Sequence, residues 1–173
     1  MAANRQPKSV LVVVDTNVLI DLADGVERVW QALEVLRARA NHPVLLVPPT
    51  VIQELALLSQ SAEEGPELMA LATKALTSLR AWGLQPINLV PVGHGICERI
   101  ADTLLESSLL PTGELNDAFV VAEAALLGAT ILLSSDGHIL DIDRDRLQIT
   151  LRSFDVAAPL RVAPWQVARL FPR

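Results

Sequence analysis

The chain has a single cysteine, Cys97, in 173 residues. That excludes an intrachain disulfide and any zinc site built from cysteines, and it fits a reducing cytoplasm. Although 51% of the residues are hydrophobic, Asp, Gly, Pro or Arg interrupts every apolar stretch before it could span a bilayer. A soluble, cytoplasmic protein without membrane contact is expected. Lysine is nearly absent, with Lys8 and Lys74 alone, and the formal net charge is −6. These values exclude a broadly basic surface for non-specific nucleic-acid binding, because Lys and Arg normally neutralise phosphate. They leave a metal-dependent nuclease open, since such a site is acidic by necessity and a bound cation reverses its local field. Phosphate contacts would fall mainly to arginines, with their planar fork, and Arg28, Arg37 and Arg39 lie nearest in sequence to Asp15. Arg5 and Lys8 precede an apolar run, as in a signal peptide, but Asp15 interrupts it before an h-region forms, so secretion is not expected. There is no internal repeat and no low-complexity tract.

Helix and strand signals alternate along the chain. Residues 10–14, VLVVV, form a continuous, largely β-branched run, as in a strand buried on both faces of a parallel sheet. Helical patterns cover 17–23 and 26–40, a short strand is expected at 44–47, and Pro48 and Pro49 can start the next helix. A helix is expected near 66–82 and a strand at 87–90, followed by a helix at 94–107. The Ala-rich segment 115–127 reads as a helix stopped by Gly128, with strands at 130–134 and near 148–154. This alternation predicts a three-layer α/β/α sandwich around a central, largely parallel sheet. The length suits one domain, placed at residues 1–155. Residues 156–173 would form a C-terminal extension docked on it through Trp165, Val167, Leu170 and Phe171.

Four acids stand out against this background. Asp15 follows VLVVV, Glu54 lies in PPTVIQEL, Asp117 in ELNDAFVVAEA, and Asp136 follows TILLSS. In a parallel α/β sheet, ligands bind beyond the carboxyl ends of the strands, where Asp15 and Asp136 should both lie. From Asp117 to Gly128 the chain would rise ~16 Å as helix, and from 130 to 135 it would return ~16 Å as strand. Asp136 should therefore come back near Asp117, and Glu54, in the second turn of its helix, should overhang the same edge. Helical phase puts Asp117 on a face with Val120, Val121 and Ala124, and puts Glu54 beside Val51, Leu55 and Leu58. Inward carboxylates are costly unless a cation offsets their charge.

Each acid also has an ordinary structural role available. Asp15 could cap the following helix, Asp117 could be an N-cap, Glu54 could pair with an arginine, and SSDG at 134–137 reads as a turn. Taken singly, those roles account for each residue. Four of them converging on one sheet edge favours a shared site. A phosphotransfer domain, the competing reading for aspartates at strand ends, would need a suitably placed lysine, whereas Lys74 falls inside a helix.

The ordered segments VVVDTNVLIDL (12–22), VPPTVIQEL (47–55), LNDAFVVAEAALLGA (115–129) and ILLSSDGHI (131–139) resemble the PIN-domain ribonucleases. The resemblance implies that Asp15, Glu54, Asp117 and Asp136 bind Mg²⁺ or Mn²⁺ and are the catalytic carboxylates, with Thr16, Asn17 and Ser134 supporting the site. It implies cleavage of single-stranded RNA. Many small bacterial members resembling this chain are toxins of toxin–antitoxin pairs, which would make a cognate antitoxin a partner; others process RNA as housekeeping enzymes, and a catalytically silent binding module is a further alternative. Hard oxygen ligands, without a usable cysteine or histidine pair, also favour Mg²⁺ or Mn²⁺ over zinc. Of the histidines, His42 and His94 lie away from the acids in sequence, and His138 sits two residues beyond Asp136 as a candidate proton carrier. The fold commonly pairs, so a homodimer is expected, with the apolar helices at 66–82 and 94–107 as a candidate surface, although burial within the monomer explains the same stripe equally well.

Overall fold

The computed structural model describes residues 9–172; Arg5 and Lys8, which bear on the signal-peptide reading, lie outside them. Five strands form one sheet: β1 (Leu11–Val14), β2 (Val44–Val47), β3 (Leu84–Pro86), β4 (Ile131–Leu133) and β5 (Leu160–Val162). Their order is β3-β2-β1-β4-β5 and every pairing is parallel. Val12, Val13 and Val14 of the central strand β1 are all fully buried. Successive strand residues point to opposite faces, so helices must cover both sides of the sheet. The architecture is the three-layer α/β/α domain expected.

The helices are α1 (Thr16–Asp24), α2 (Glu27–Arg39), α3 (Pro49–Leu58), α4 (Pro66–Ser78), α5 (Pro91–Glu106), α6 (Leu115–Leu126), α7 (Gly137–Leu140), α8 (Arg144–Arg152) and α9 (Val167–Leu170), with a 3₁₀ turn, η1, at Pro164–Gln166. Gly25, at φ +82°, ends α1 and bonds back to the carbonyls of Asp21 and Leu22, a left-handed cap that glycine adopts without strain. The chain can then reverse into α2. α4 packs across α1 and α3, and α5 packs on α6 and α8. Ala72 and Ala75 of α4, and Ile100 and Leu104 of α5, are buried within the chain. Much of the apolar stripe considered for a dimer surface therefore belongs to the core.

Two expected strands are corrected. The edge strand lies at Leu84–Pro86 and not at 87–90. α4 ends at Ser78, Gly83 turns the chain at φ +66°, and Leu84 pairs at once with Leu45. Segment 87–90 leads into α5, and its Val90 is exposed. The segment 148–154 is mostly helix α8, not a strand. Asp143 caps it by accepting from the Arg146 N–H at 2.8 Å, and Leu147 and Leu151, four apart, bury while Ile149 between them is 69% exposed. Period 3.6 outweighed the β-branched pair Ile149–Thr150. The fifth strand comes from residues 160–162, in the segment read as an extension, and η1 and α9 beyond it pack on α2.

Among the described residues no helix is long and apolar enough to cross a membrane.

Candidate active site

The sheet order reverses between β1 and β4, which pair while their onward connections run to opposite sides. This is the switch point at which an open parallel sheet leaves a crevice beyond its carboxyl ends. Asp15 follows β1 directly, and its backbone N–H donates to the Leu133 carbonyl at the end of β4 at 3.0 Å. Its side chain caps α1, accepting from the Thr16 N–H at 2.7 Å through Oδ1, and accepts from the Ser134 hydroxyl at 2.7 Å through Oδ2. The capping role and a place in the shared cleft therefore coincide in one residue. Burial pushes the Asp15 carboxyl up to about 6, against the lowering effect of those two bonds and with the Glu54 and Asp136 charges adding to the rise.

Ser134 is fully buried. It donates to Asp15 and accepts from the Asp136 N–H at 2.9 Å, joining two of the four acids. Asp136 caps the short α7 by accepting from the His138 N–H at 2.7 Å. Asn17 accepts from the Ser135 N–H at 3.1 Å and so ties the start of α1 to the same loop. Thr16 donates its hydroxyl to Glu54 Oε2, linking α1 to α3. No arginine ion pair to Glu54 forms among the described residues, so the pairing considered from sequence is replaced by a hydroxyl.

Asp117 stands in the first turn of α6, while Glu114 occupies the N-cap position. Burial raises its carboxyl to about 7, helped by the charges of Asp136, Asp15 and Glu114 and opposed by His138. Its Oδ2 is buried with no hydrogen-bond partner. An orphaned carboxylate oxygen facing other carboxylates is costly in the protein alone. Asp15, Glu54, Asp117 and Asp136 together line one cleft of about 320 Å³, with Thr16 and Asn17 beside them and Ile20, Leu58 and Leu68 as apolar walls. None of the lining residues is a lysine or arginine. The all-oxygen donor set fits a hard divalent cation.

A family comparison bears on this arrangement. The model of the PIN domain matches residues 12–145, a span that contains all four acids. The chain belongs to the PIN-domain family. Sequence comparison with curated proteins gives no match. Among solved structures, this PIN domain is similar to VapBC2 from Rickettsia felis bound to a DNA fragment from its promoter (TM-score 0.58, 14% identity, 88% of this chain and 98% of that one). It is also similar to VapBC-1 from nontypeable Haemophilus influenzae (0.55, 14%, 89% and 98%) and to VapBC-5 from Mycobacterium tuberculosis, a member of the VapBC family of toxin–antitoxin systems (0.51, 18%, 79% and 92%). At these identities the likeness establishes the fold.

Three further residues at or beside the cleft carry no assigned site role in the sequence reading. Asp21 lines the cleft, and burial raises its carboxyl while Arg28 opposes the rise. It lies four residues after Asn17, so helical phase from the Asp-Thr-Asn motif could have found it. Glu114 is three residues before Asp117, on the same helical face. His138, considered only as a proton carrier, places Nδ1 3.4 Å from Glu114 Oε1 and 3.9 Å from Asp117 Oδ2. Among the described residues, Glu114, Asp117 and His138 form the set whose ligand atoms all lie within 4.8 Å of one another. The four acids surround a wider space. Of the three arginines considered for phosphate contacts, Arg37 and Arg39, at the far end of α2, donate to the carbonyls of Trp82 and Phe171. Arg28, in its first turn, stays at the edge where the acids lie.

Proposed function

We propose that the chain is a metal-dependent endoribonuclease that hydrolyses phosphodiester bonds of single-stranded RNA and acts as the toxin of a toxin–antitoxin pair. The observation that carries the reading is the convergence of Asp15, Glu54, Asp117 and Asp136 on one cleft at the sheet's switch point, in a chain of the PIN family. These four carboxylates would hold Mg²⁺ or Mn²⁺. When bound, the ion would supply a water activated near neutral pH and neutralise charge on the phosphate and the leaving oxygen.

The protein's own part is placement. Ser134 fixes Asp15 against Asp136, Thr16 fixes Glu54, and Asn17 holds the β4–α7 loop that carries Asp136. Ile20, Leu58 and Leu68 form apolar wall beside the acids. The fold shared with VapBC-5, itself of a toxin–antitoxin family, supports the toxin role. A cytoplasmic setting, a homodimer and a cognate antitoxin belong to the same reading.

Labelled single-stranded RNA in Mn²⁺ tests the chemistry: Asp15→Asn and Asp117→Asn should each reduce cleavage by at least about a hundred-fold, and full activity in either variant would overturn the proposal. Growth arrest on expression, relieved by the product of a neighbouring gene, separates a toxin from a housekeeping nuclease. Light scattering of the chain, alone and co-expressed with that neighbour, tests the assembly.

A further inference from the structure

No lysine or arginine lines the cleft, so apart from the divalent ion proposed there, any grip on a polyanion must come from residues outside it. Trp165 lies where such a hold would be needed. β5 runs parallel to β4, and the Ser134 N–H donates to the Val162 carbonyl at 3.1 Å, so β5 ends at the edge where the acids lie. Trp165 follows three residues later, in η1. Arg28, in the first turn of α2, comes to the same place and sets its guanidinium carbon 6.0 Å from the Trp165 ring centroid. The line back to the site is continuous: Arg28 acts electrostatically on Asp21, Asp21 hydrogen-bonds Ser135, and Asp21 lines the cleft.

Trp165 is unlike the other two tryptophans. Trp30 and Trp82 pack edge to face with centroids 5.5 Å apart, and Trp30 donates its indole N–H to the Leu22 carbonyl. Trp165 is 52% exposed. A large exposed ring carrying a guanidinium offers the two contacts that a single-stranded nucleotide uses, a π-face for the base and a cation for the phosphate. A flat apolar partner would use the ring but not the charge. A purely electrostatic partner would find one arginine in an acidic neighbourhood.

We propose that Trp165 and Arg28 form a stacking platform for a nucleotide of the single-stranded RNA, flanking the phosphate held at the four acids. The proposal rests on the ribonuclease reading and adds the surface that grips the strand outside the cleft. The ring takes a base with little regard to its identity, and Arg28 offsets the repulsion that the carboxylates impose on the adjoining phosphate.

The test uses fluorescein-labelled oligoadenylate and the full chain carrying Asp117→Asn, which keeps the strand intact, with binding read by anisotropy. Adding Trp165→Ala should weaken binding about ten-fold, adding Trp165→Phe should restore most of it, and adding Arg28→Gln should make the salt dependence shallower by about one phosphate contact. Thermal melting of each variant separates lost packing from lost binding. Unchanged affinity in Trp165→Ala, or a loss that the phenylalanine fails to rescue, overturns the platform. So does a Trp165→Ala variant whose RNA affinity holds while its oligomeric state or its capture of a co-expressed protein changes, because the ring then serves a protein interface. Failure of the two readings is distinguishable. A wild-type chain that cleaves no RNA but whose affinity depends on Trp165 keeps the platform and loses the nuclease, whereas an active nuclease indifferent to Trp165→Ala loses the platform alone.

Discussion

The Ser134 hydroxyl donates to Asp15 Oδ2 at 2.7 Å and at the same time accepts from the Asp136 N–H at 2.9 Å. One fully buried side chain thus spans the gap between β1 and β4 and sets the relative position of two carboxylates. Ser134→Ala removes the bond that most lowers the Asp15 carboxyl, which already stands at about 6. The variant should lose about 1–3 kcal/mol of stability, the cost of leaving a buried acceptor unpaired. The acidic limb of its pH–rate profile should move to higher pH. Urea unfolding and rates between pH 5 and 9 measure both effects, and an unmoved acidic limb would detach Ser134 from Asp15 in function.

Asp15, Asp117 and Glu123 all carry raised carboxyls, at about 6, 7 and 7. Between pH ~4, where the unfolded chain releases these protons, and pH ~7, the native state holds more protons than the unfolded state. Stability from these groups therefore falls as pH rises through that window and is fully spent above it. The metal-free protein should lose melting temperature from pH 5 to pH 8 by more than Asp117→Asn does. A divalent ion should offset the loss, so Mn²⁺ should raise the melting temperature more at pH 8 than at pH 5. Equal stabilisation by Mn²⁺ at the two pH values would count against cation binding at these acids.

Glu123 is 3% exposed and reaches from α6 to the first turn of α3, accepting from the Thr50 N–H at 3.2 and 3.3 Å and from its hydroxyl at 3.0 Å. The N-cap residue of α3 is Pro48, whose side chain has no acceptor, so the cap comes from another helix. α6 carries Asp117 and α3 carries Glu54, and Glu123 holds the two helices in register. Burial raises its carboxyl to about 7 against the lowering effect of the Thr50 bonds. Glu123→Gln keeps an acceptor and removes the charge, and should stabilise the protein at pH 8 by up to about 3 kcal/mol, the equivalent of the shift. At pH 4.5 the gain should vanish. Glu123→Ala should destabilise at both pH values, and a Gln variant that melts earlier at pH 8 would refute the argument.

What could be read from the sequence followed from periodicity and from the ends of strands. β1, β2 and β4, and the helices bearing Glu54 and Asp117, are strongly patterned, and the matched rise of 117–128 as helix and 130–135 as extended chain suffices to return Asp136 to the level of Asp117. The edge strands were misplaced for a physical reason. β3 and β5 have three residues each, with Gln85, Pro86 and Leu160 exposed, so neither shows the apolar run of a buried strand. Their pairing is decided by neighbours distant in sequence. Ile149 was misleading for the converse reason, being a β-branched residue on the exposed face of a helix. The convergence of the four carboxylates on one cleft was legible because they interrupt apolar patterns. The Thr50–Glu123 link and the approach of His138 to Glu114 were not, because both depend on how separate helices pack.

Asp21 lines the cleft without belonging to the four acids. It lies on α1 in sight of Arg28, whose charge lowers its carboxyl while burial raises it. A residue balanced by an arginine and bonded to Ser135 is suited to shaping the cleft wall and holding the β4–α7 loop, and is less suited to carrying a cation's charge. Asp21→Asn keeps the hydrogen-bonding shape and should leave the cleavage rate at saturating RNA within about three-fold of wild type, whereas Asp117→Asn should lose at least about a hundred-fold. Because Arg28 would no longer be partly neutralised, RNA affinity should rise by a small factor, most visibly at low salt. Rates and KM for the two variants, measured side by side in Mn²⁺, decide it. A collapse of kcat in Asp21→Asn equal to that in Asp117→Asn would move Asp21 among the residues that hold the ion.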